Sequence, residues 1–360
     1  MTAADTTVPD EVRGWIGQTR CPETADFPVE RGYVWTACAS VENGNPLFWD
    51  DKVAADITDG PIAPPSTLSL WFRPHHWQPG QTTQKLPLQV HFDLKDRLGL
   101  PEAVMSDSEV TFHTPVRPGD VISTWQVLRS LSEPRSTRLG RGRFWVIDVP
   151  YRNQRDELVG VETFTGFGYI RADAPPATGA RPAGPRTEAP ASTPCGSARS
   201  TVGRVVLGDV AVGDALPPLS HEVTATTVVL GALATRDWRP MHHDRDFAIN
   251  RNGARDIFLN TPNQQAWFER FVTDWTGPLG RPGRLRLRMR DPVYPGDTMT
   301  LTGGVESIDT DGTGCGWTTV AIEVRAGDTS RLCTTATLRI AVPTSSDDNP
   351  WRRSGDRWVP

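Results

Sequence analysis

PVRPGD at residues 115–120 returns as PVYPGD at 292–297, and this repetition decides how the 360-residue chain is read. A second pair of stretches precedes it in the same order, NGNPLFWD at 43–50 and DWRPMHHD at 237–244. Laid side by side, they pair Asn43 with Asp237, Asn45 with Arg239, Pro46 with Pro240, Phe48 with His242 and Asp50 with Asp244, and Ala54 then meets Ala248. Two matched landmarks in one order point to internal duplication. The interval between them is 17 residues longer in the first copy (43 to 115 against 237 to 292), which places extra material within RPHHWQPGQTTQKLPLQVHFDLKDRLGLPEAV, residues 73–104.

Between the copies lies ADAPPATGARPAGPRTEAPASTPCGS, residues 172–197, with almost no large apolar side chain. Such a segment cannot bury surface and reads as an extended linker. The expected organisation is a first domain over 1–171, a linker over 172–200, a second domain over 201–343 and a polar tail over 344–360. A chain of this length suits two domains with a core each.

The element order is the same in both copies. HEVTATTVVLGALATRD (221–237) reads as a short helix capped by Thr224 or Thr226. NTPNQQAWFERFVTDWTG (260–277) predicts a longer one, with Asn260 or Thr261 as N-cap, Pro262 in the first turn and Gly277 as the stop. The period then changes to two in 284–294, 298–308, 317–326 and 332–342, and likewise in 108–116, 120–131, 142–152 and 158–170. The expected class is α+β: a long helix wrapped by a strongly bent antiparallel sheet, occurring twice.

Composition narrows the function. Apolar content of 37 % and no apolar run of bilayer length leave no membrane span expected. The N-terminal MTAADTTVPDEVRGW lacks a signal-peptide pattern, so the cytoplasm is the expected location. A net charge of −5 gives no reason to expect nucleic acid as a partner. Five widely spaced cysteines without a C-x-x-C pair argue against a disulfide framework or zinc site.

The order helix, D-x-x-P-x-H with an Asp two residues on, long helix, then P-V-x-P-G-D into strands resembles the MaoC-like (R-specific) enoyl-CoA hydratase family, over nearly the whole chain except the linker and tail. With the motif intact only in the second copy, the chain looks like a double-hot-dog hydratase. The run ATRDWRPMHHDRDFAINRNGARDIFLNT…RFVTDWTGP is also similar to actinobacterial hydratases of steroid side-chain CoA thioesters. The resemblance implies reversible hydration of a 2-enoyl-CoA with a bulky acyl group, a steroid side chain being the most specific candidate. Coenzyme A then enters as part of the substrate and no separate cofactor is expected. Two departures, Arg239 where the family has Asn and Asn260 near the usual Gly, put the ordinary substrate pocket in doubt.

Hydration of an enoyl thioester needs a base for water, an acid for the α-carbon and donors for the enolate oxygen. Asp237 and His242 can share the first two tasks, with Pro240 stiffening the loop between them. The backbone N–H groups of Asn260 and Thr261, where the long helix starts, suit the third. Read plainly, DWRPMHHD is a turn in which Asp237 caps and His242 fills the core. The copy with Asn43 and Phe48 argues otherwise, because it forms the same turn without either group. His243 is expected to point elsewhere and Asp244 to cap a helix, so no metal site is expected from His242, His243 and Asp244.

Arg284, Arg286, Arg288 and Arg290 alternate along one strand face, and Arg286 and Arg288 are candidates for coenzyme A phosphates, with a solvated face as the equal alternative. Arg239, Trp238 and Trp267 are further substrate-binding candidates, and Trp71, Trp77, Trp238 and Trp267 could line a wide apolar pocket or simply pack the core. His75 and His76 read as loop residues. Losing the dyad in the first copy would free its helix, entered by Pro64 and Pro65, to deform around a larger acyl group. The alternatives are a hot-dog thioesterase with Glu269 as its carboxylate, a dehydratase of carrier-protein thioesters, and a noncatalytic acyl-CoA binding subunit. Two hot dogs in one chain permit a monomer or a homodimer.

Overall fold

A computed structural model describes residues 7–80, 87–171 and 205–360. The proposed linker at 172–200 lies outside the described residues. The helices are α1 (Asp10–Arg13), α2 (Arg31–Ser40), α3 (Pro46–Trp49), α4 (Asp51–Thr58), α5 (Gln89–Arg97), α6 (Ala225–Ala234), α7 (Arg245–Asn250) and α8 (Thr261–Thr276). The strands are β1 (Thr19–Thr24), β2 (Glu102–Phe112), β3 (Ser123–Leu131), β4 (Arg135–Thr137), β5 (Gly140–Arg152), β6 (Leu158–Arg171), β7 (Leu219–Glu222), β8 (Arg281–Met289), β9 (Thr298–Thr310), β10 (Gly316–Ala326) and β11 (Arg331–Ala341).

All these strands join one antiparallel sheet in the order β1-β3-β5-β6-β2-β8-β11-β10-β9-β7, with β4 beside β5. The order reads alike from either edge: β1 answers β7, β3 answers β9, β5 answers β10, β6 answers β11, and β2 meets β8 at the centre. There Val110 pairs with Leu285 and Glu109 with Arg286. The duplicated sequence therefore folds into two related halves fused edge to edge, which removes one exposed edge from each. This is a double hot-dog arrangement, α+β in class.

The second half follows its sequence closely. Thr224 caps α6 through a reciprocal hydrogen-bond pair with Thr227. Asn260 caps α8, Pro262 sits in its first turn, and Gly277 at φ 76° ends it. The strand side of α8 is met by Thr334 of β11, whose hydroxyl donates to Gln264 Oε1 at 2.7 Å. The first half covers another face, so even Glu269 and Arg270 are buried. Gly231 lets α6 approach α8 closely, since a Cβ there would lie 2.6 Å from the Asn263 side chain.

The first half departs from the expected pair of long helices. In place of a counterpart to α8 it has a six-residue 3-10 turn, Pro65–Leu70, and the shorter α5. Pro64 and Pro65 carry no N–H, and Pro74 disfavours helix at Arg73, so the segment cannot extend into a regular helix. It still packs on α8, where the Ser66 N–H donates to Glu269 Oε2 at 2.6 Å.

The segment 344–360, expected as a polar tail, is docked. Trp351 and Trp358 are buried, the Trp358 indole donating to Phe112 O at 2.7 Å and stacking on the Arg281 guanidinium, 3.5 Å from the ring centroid. Arg281 in turn donates to the carbonyls of His113, Pro350 and Arg353. Two large indoles in an otherwise polar stretch supply enough apolar surface to hold it down.

Candidate active site beneath the first half

The end of α6 builds the site. Its chain turns through Arg236 in a left-handed conformation (φ 47°), which brings Asp237 inward, and the Asp237 N–H bonds back to Ala232 O at 2.9 Å. Asp237 Oδ1 accepts from the Arg239 N–H at 3.4 Å. The first copy makes the same turn with a neutral group, Asn43 Oδ1 accepting from the Asn45 N–H at 3.0 Å, while Phe48 is buried where His242 stands in the second. One oxygen of Asp237 thus suffices for the turn. The other is free for a different use.

That second oxygen, Oδ2, faces His242 Nε2 at 3.7 Å and accepts from the Asn260 amide at 3.0 Å. The opposite ring nitrogen of His242, Nδ1, lies 2.8 Å from Phe258 O. A carbonyl can only accept, so Nδ1 carries the proton and Nε2 presents its lone pair toward Asp237. A gap of 3.7 Å is too long for a direct hydrogen bond, and both atoms can touch one small molecule between them.

Electrostatics fix the charge states. Burial pushes the His242 imidazole below its ordinary range, Asp237 and the Phe258 carbonyl oppose this, and Arg239 and His243 add to the depression. Burial alone would raise the Asp237 carboxyl, but Arg73, His242, Asn260 and Arg239 together bring it below its ordinary value. The resting pair is a carboxylate beside a neutral imidazole.

Asn260 serves both the helix and the dyad. Its Oδ1 accepts from the Asn263 N–H at 3.3 Å, and its Nδ2 donates to Asp237 and to Thr235 Oγ at 2.7 Å. Sequence reasoning placed only its backbone at the site. With Asn263 N–H taken and Pro262 lacking one, the Thr261 N–H is the donor left in the first turn of α8.

Arg73 carries no signal in the sequence. It comes from the first half, and its Nη1 lies 3.9 Å from Asp237 Oδ2, with 13 % and 8 % side-chain exposure at the two ends. It sits within the Pro-rich stretch that distinguishes the first copy. Nearby, the Trp238 indole donates to Pro74 O at 2.8 Å and faces His76, so this stretch lies over the dyad.

Several expected residues fall elsewhere. Trp267 is in the core against His221, its indole donating to Asn263 Oδ1, because it faces away from the dyad on α8. Trp71 is also core, and Trp77 is 69 % exposed, so no four-tryptophan pocket forms. Arg286 is held in a bidentate pair by Asp107 across the β2–β8 seam, while Arg288 and Arg239 are exposed. His75 and His76 are surface residues, His243 is exposed, and Asp244 caps α7 through the Phe247 N–H. A small cavity does open beside Thr235, lined by Ala37, Ser40, Ser66, Ser69, Pro262 and Ala266 among others.

Among the described residues, no helix is long and apolar enough to cross a membrane. Residues 14–161 match the family model described as the FAS1-like dehydratase domain region. A relative named 3-oxo-4,17-pregnadiene-20-carboxyl-CoA hydratase beta subunit, from Mycobacterium tuberculosis, is 41 % identical over 98 residues, 27 % of this chain and 75 % of that one. A probable enoyl-CoA hydratase alpha subunit from Thermomonospora curvata is 28 % identical over 158 residues, 42 % of this chain and 48 % of the relative, so the chain spans about half of it. Among solved structures, a MaoC-like dehydratase superposes with a TM-score of 0.64 at 17 % identity, covering 93 % of this chain and all of that one. A Mycobacterium tuberculosis protein described as having a double hotdog fold does so at 0.58 and 16 % identity, covering 91 % and 96 %. The repeated halves, their shared sheet and these likenesses agree, and the chain belongs to the MaoC-like enoyl-CoA hydratase and dehydratase family of hydro-lyases.

Proposed function

We propose that this protein adds water reversibly to a 2-enoyl-CoA thioester with a bulky acyl group, a steroid side chain being the most specific candidate, and that Asp237 and His242 carry the chemistry. The observation that carries this reading is the neutral Nε2 of His242 set 3.7 Å from an ionised Asp237 beside the start of α8. A water touching both loses a proton to Nε2 as its oxygen adds to C3 of the enoyl group. The electron pair moves onto the thioester oxygen, which the Thr261 N–H and the positive end of α8 stabilise. The imidazolium, held by Asp237, then returns the proton to C2, so one water is consumed and the dyad is restored.

The bulky acyl group is supported by the relative named as a pregnadiene-carboxyl-CoA hydratase subunit and by the shortened first-half helix, beside which a small cavity opens against α8. Relatives named as alpha and as beta subunits both match this chain, and its two halves already share one sheet, so a monomer or homodimer is the proposed working unit. A carrier-protein thioester is the second reading, favoured by the FAS1-like dehydratase match. Glu269 as a thioesterase carboxylate is disfavoured, because it is seven residues along α8 from Pro262, about 10 Å from the dyad end.

The test is loss of enoyl absorbance with crotonyl-CoA, a long-chain enoyl-CoA, a steroid side-chain enoyl-CoA and a pantetheine-arm analogue. Asp237→Asn and His242→Ala are each expected to lower kcat by about 100-fold or more. Hydration indifferent to both substitutions would sink the dyad, and preference for crotonyl-CoA would sink the bulky acyl group.

A further inference from the structure

Arg270, Arg281 and Arg236 all cross between the halves and show how such a side chain is satisfied when it only holds structure. Arg270 of α8 donates through Nη1 to Val41 O at 2.7 Å and through Nε to Asp274 at 3.3 Å, and it pairs with Glu42. Arg281 donates to the carbonyls of His113, Pro350 and Arg353 and carries the Trp358 ring. Arg236 donates to Glu30 at 3.0 Å and stacks on Phe27 and Tyr33. Arg73 is different. Among the described residues its guanidinium makes no hydrogen bond and meets no ring, although the side chain is only 13 % exposed and Nε is buried without a partner. Two carboxylates feel its charge without accepting from it: Asp237, whose Oδ2 stops 3.9 Å from Nη1, and Glu162, whose Oε2 is taken by the Tyr151 hydroxyl at 2.5 Å. A desolvated guanidinium with its donors unspent calls for an acceptor.

The residue is also held in place. Its N–H bonds to Leu70 O at 3.3 Å, and the next carbonyl, Pro74 O, accepts from the Trp238 indole of the dyad loop at 2.8 Å. Leu70 borders the same small cavity as Pro262 in the first turn of α8, so this segment neighbours both the dyad and the helix start. We propose that Arg73 is a catalytic residue lent by the half that lacks a dyad, and that its guanidinium donates to the thioester oxygen as a second donor beside the Thr261 N–H. The inference rests on the hydratase reading. A water between Asp237 Oδ2 and His242 Nε2 turns its protons toward those acceptors, and a cation on its lone pairs would oppose its attack. The thioester oxygen instead gains negative charge as water adds to C3. A fixed donor aimed at it therefore bonds more strongly in the transition state than in the ground state. Guanidinium stays protonated throughout, so Arg73 stabilises the enolate without entering the proton transfer between water, His242 and C2.

The experiment binds 4-(dimethylamino)cinnamoyl-CoA, a coloured enoyl thioester whose absorption moves to longer wavelength when its carbonyl oxygen accepts hydrogen bonds, to wild type, Arg73→Ala and Arg73→Lys. Beside it, kcat and KM are measured with the enoyl-CoA that wild type hydrates fastest. Wild type should give a red shift that Arg73→Ala largely loses. The same variant should lower kcat by about tenfold or more, the worth of one charge-assisted hydrogen bond, and change KM by less than about twofold. Millimolar guanidinium ion should recover part of both losses. Should Arg73→Ala fail to fold, Arg73→Met, of similar length, carries the test. A mere counter-ion to Asp237 needs only charge. A red shift equal in wild type and Arg73→Ala, or full kcat in Arg73→Lys, therefore overturns the inference and leaves hydration standing. If wild type hydrates no enoyl thioester, the hydratase reading fails, and the red shift still decides whether Arg73 meets the thioester oxygen. Absence of any shift with wild type refutes the contact.

Discussion

Replacing Glu269 with Gln should stabilise the protein at alkaline pH and leave it nearly unchanged in acid. Glu269 is fully enclosed on α8 and meets no cationic side chain; the side chain and the N–H of Ser66 lower its pKa less than burial raises it, and the Cys38 thiol is its titratable neighbour. Burial therefore raises its carboxyl from 4.5 to about 7. The folded state holds this proton more tightly than the unfolded chain does, so the contribution is fully present below the unfolded value of 4.5. It is lost as pH rises toward 7. The rise from 4.5 to about 7 corresponds to about 3 kcal/mol above pH 7. Gln keeps an acceptor for the Ser66 N–H and never ionises. In urea titrations followed by tryptophan fluorescence, the stability of Glu269→Gln relative to wild type should therefore improve by about 3 kcal/mol between pH 4.5 and pH 8, with unchanged slope in urea. A difference independent of pH would refute the reasoning, since it would mean that Glu269 is solvated or paired in the folded protein.

Other outcomes follow from the site. In the proposed role of base His242 must be neutral, and since burial lowers its pKa, activity should hold through neutrality. It should fall only below the ordinary imidazole value of 6.5, which a kcat/KM profile would read directly. Arg73→Ala should move the titration of Asp237 upward and lower kcat/KM by about tenfold, and an unchanged pH profile would show that the first half contributes nothing to the dyad. Trp358→Ala should cost about 3 kcal/mol or more by thermal unfolding, since it removes a buried indole and strips the ring from Arg281; a loss below about 1 kcal/mol would mean the C-terminal segment is not docked.

Much of the second half was legible because its local signals agree with its tertiary role. Thr224, Asn260 and Gly277 are ordinary cap and stop residues, and the strands from 281 onward alternate with period two. The first half misled where local and global demands part. Its counterpart to α8 shrank to a 3-10 turn, and the prolines at 64, 65 and 74 were visible only as a hint of remodelling. The short edge strands β1 and β7 have too few residues to show a period. For Trp267 and Arg286 the alternatives stayed open in the sequence, because spacing names a helix or strand face without naming what covers it. Trp267 proved to face the core, and Arg286 found Asp107 across the seam.

Sequence by itself determined that the chain is a duplicated α+β protein and that the second copy alone keeps Asp237 and His242, because repeated landmarks and an asymmetric loss are properties of the linear string. Tertiary structure decided which oxygen of Asp237 is available, which nitrogen of His242 bears the proton, and that Asn260 and Arg73 fix the charge of the pair. These depend on contacts between segments as much as 164 residues apart, such as Trp238 and Pro74, and on burial that removes water from the charges. No local pattern encodes the dielectric around a side chain, so the charge state of the dyad emerges only once the first half is folded over the second.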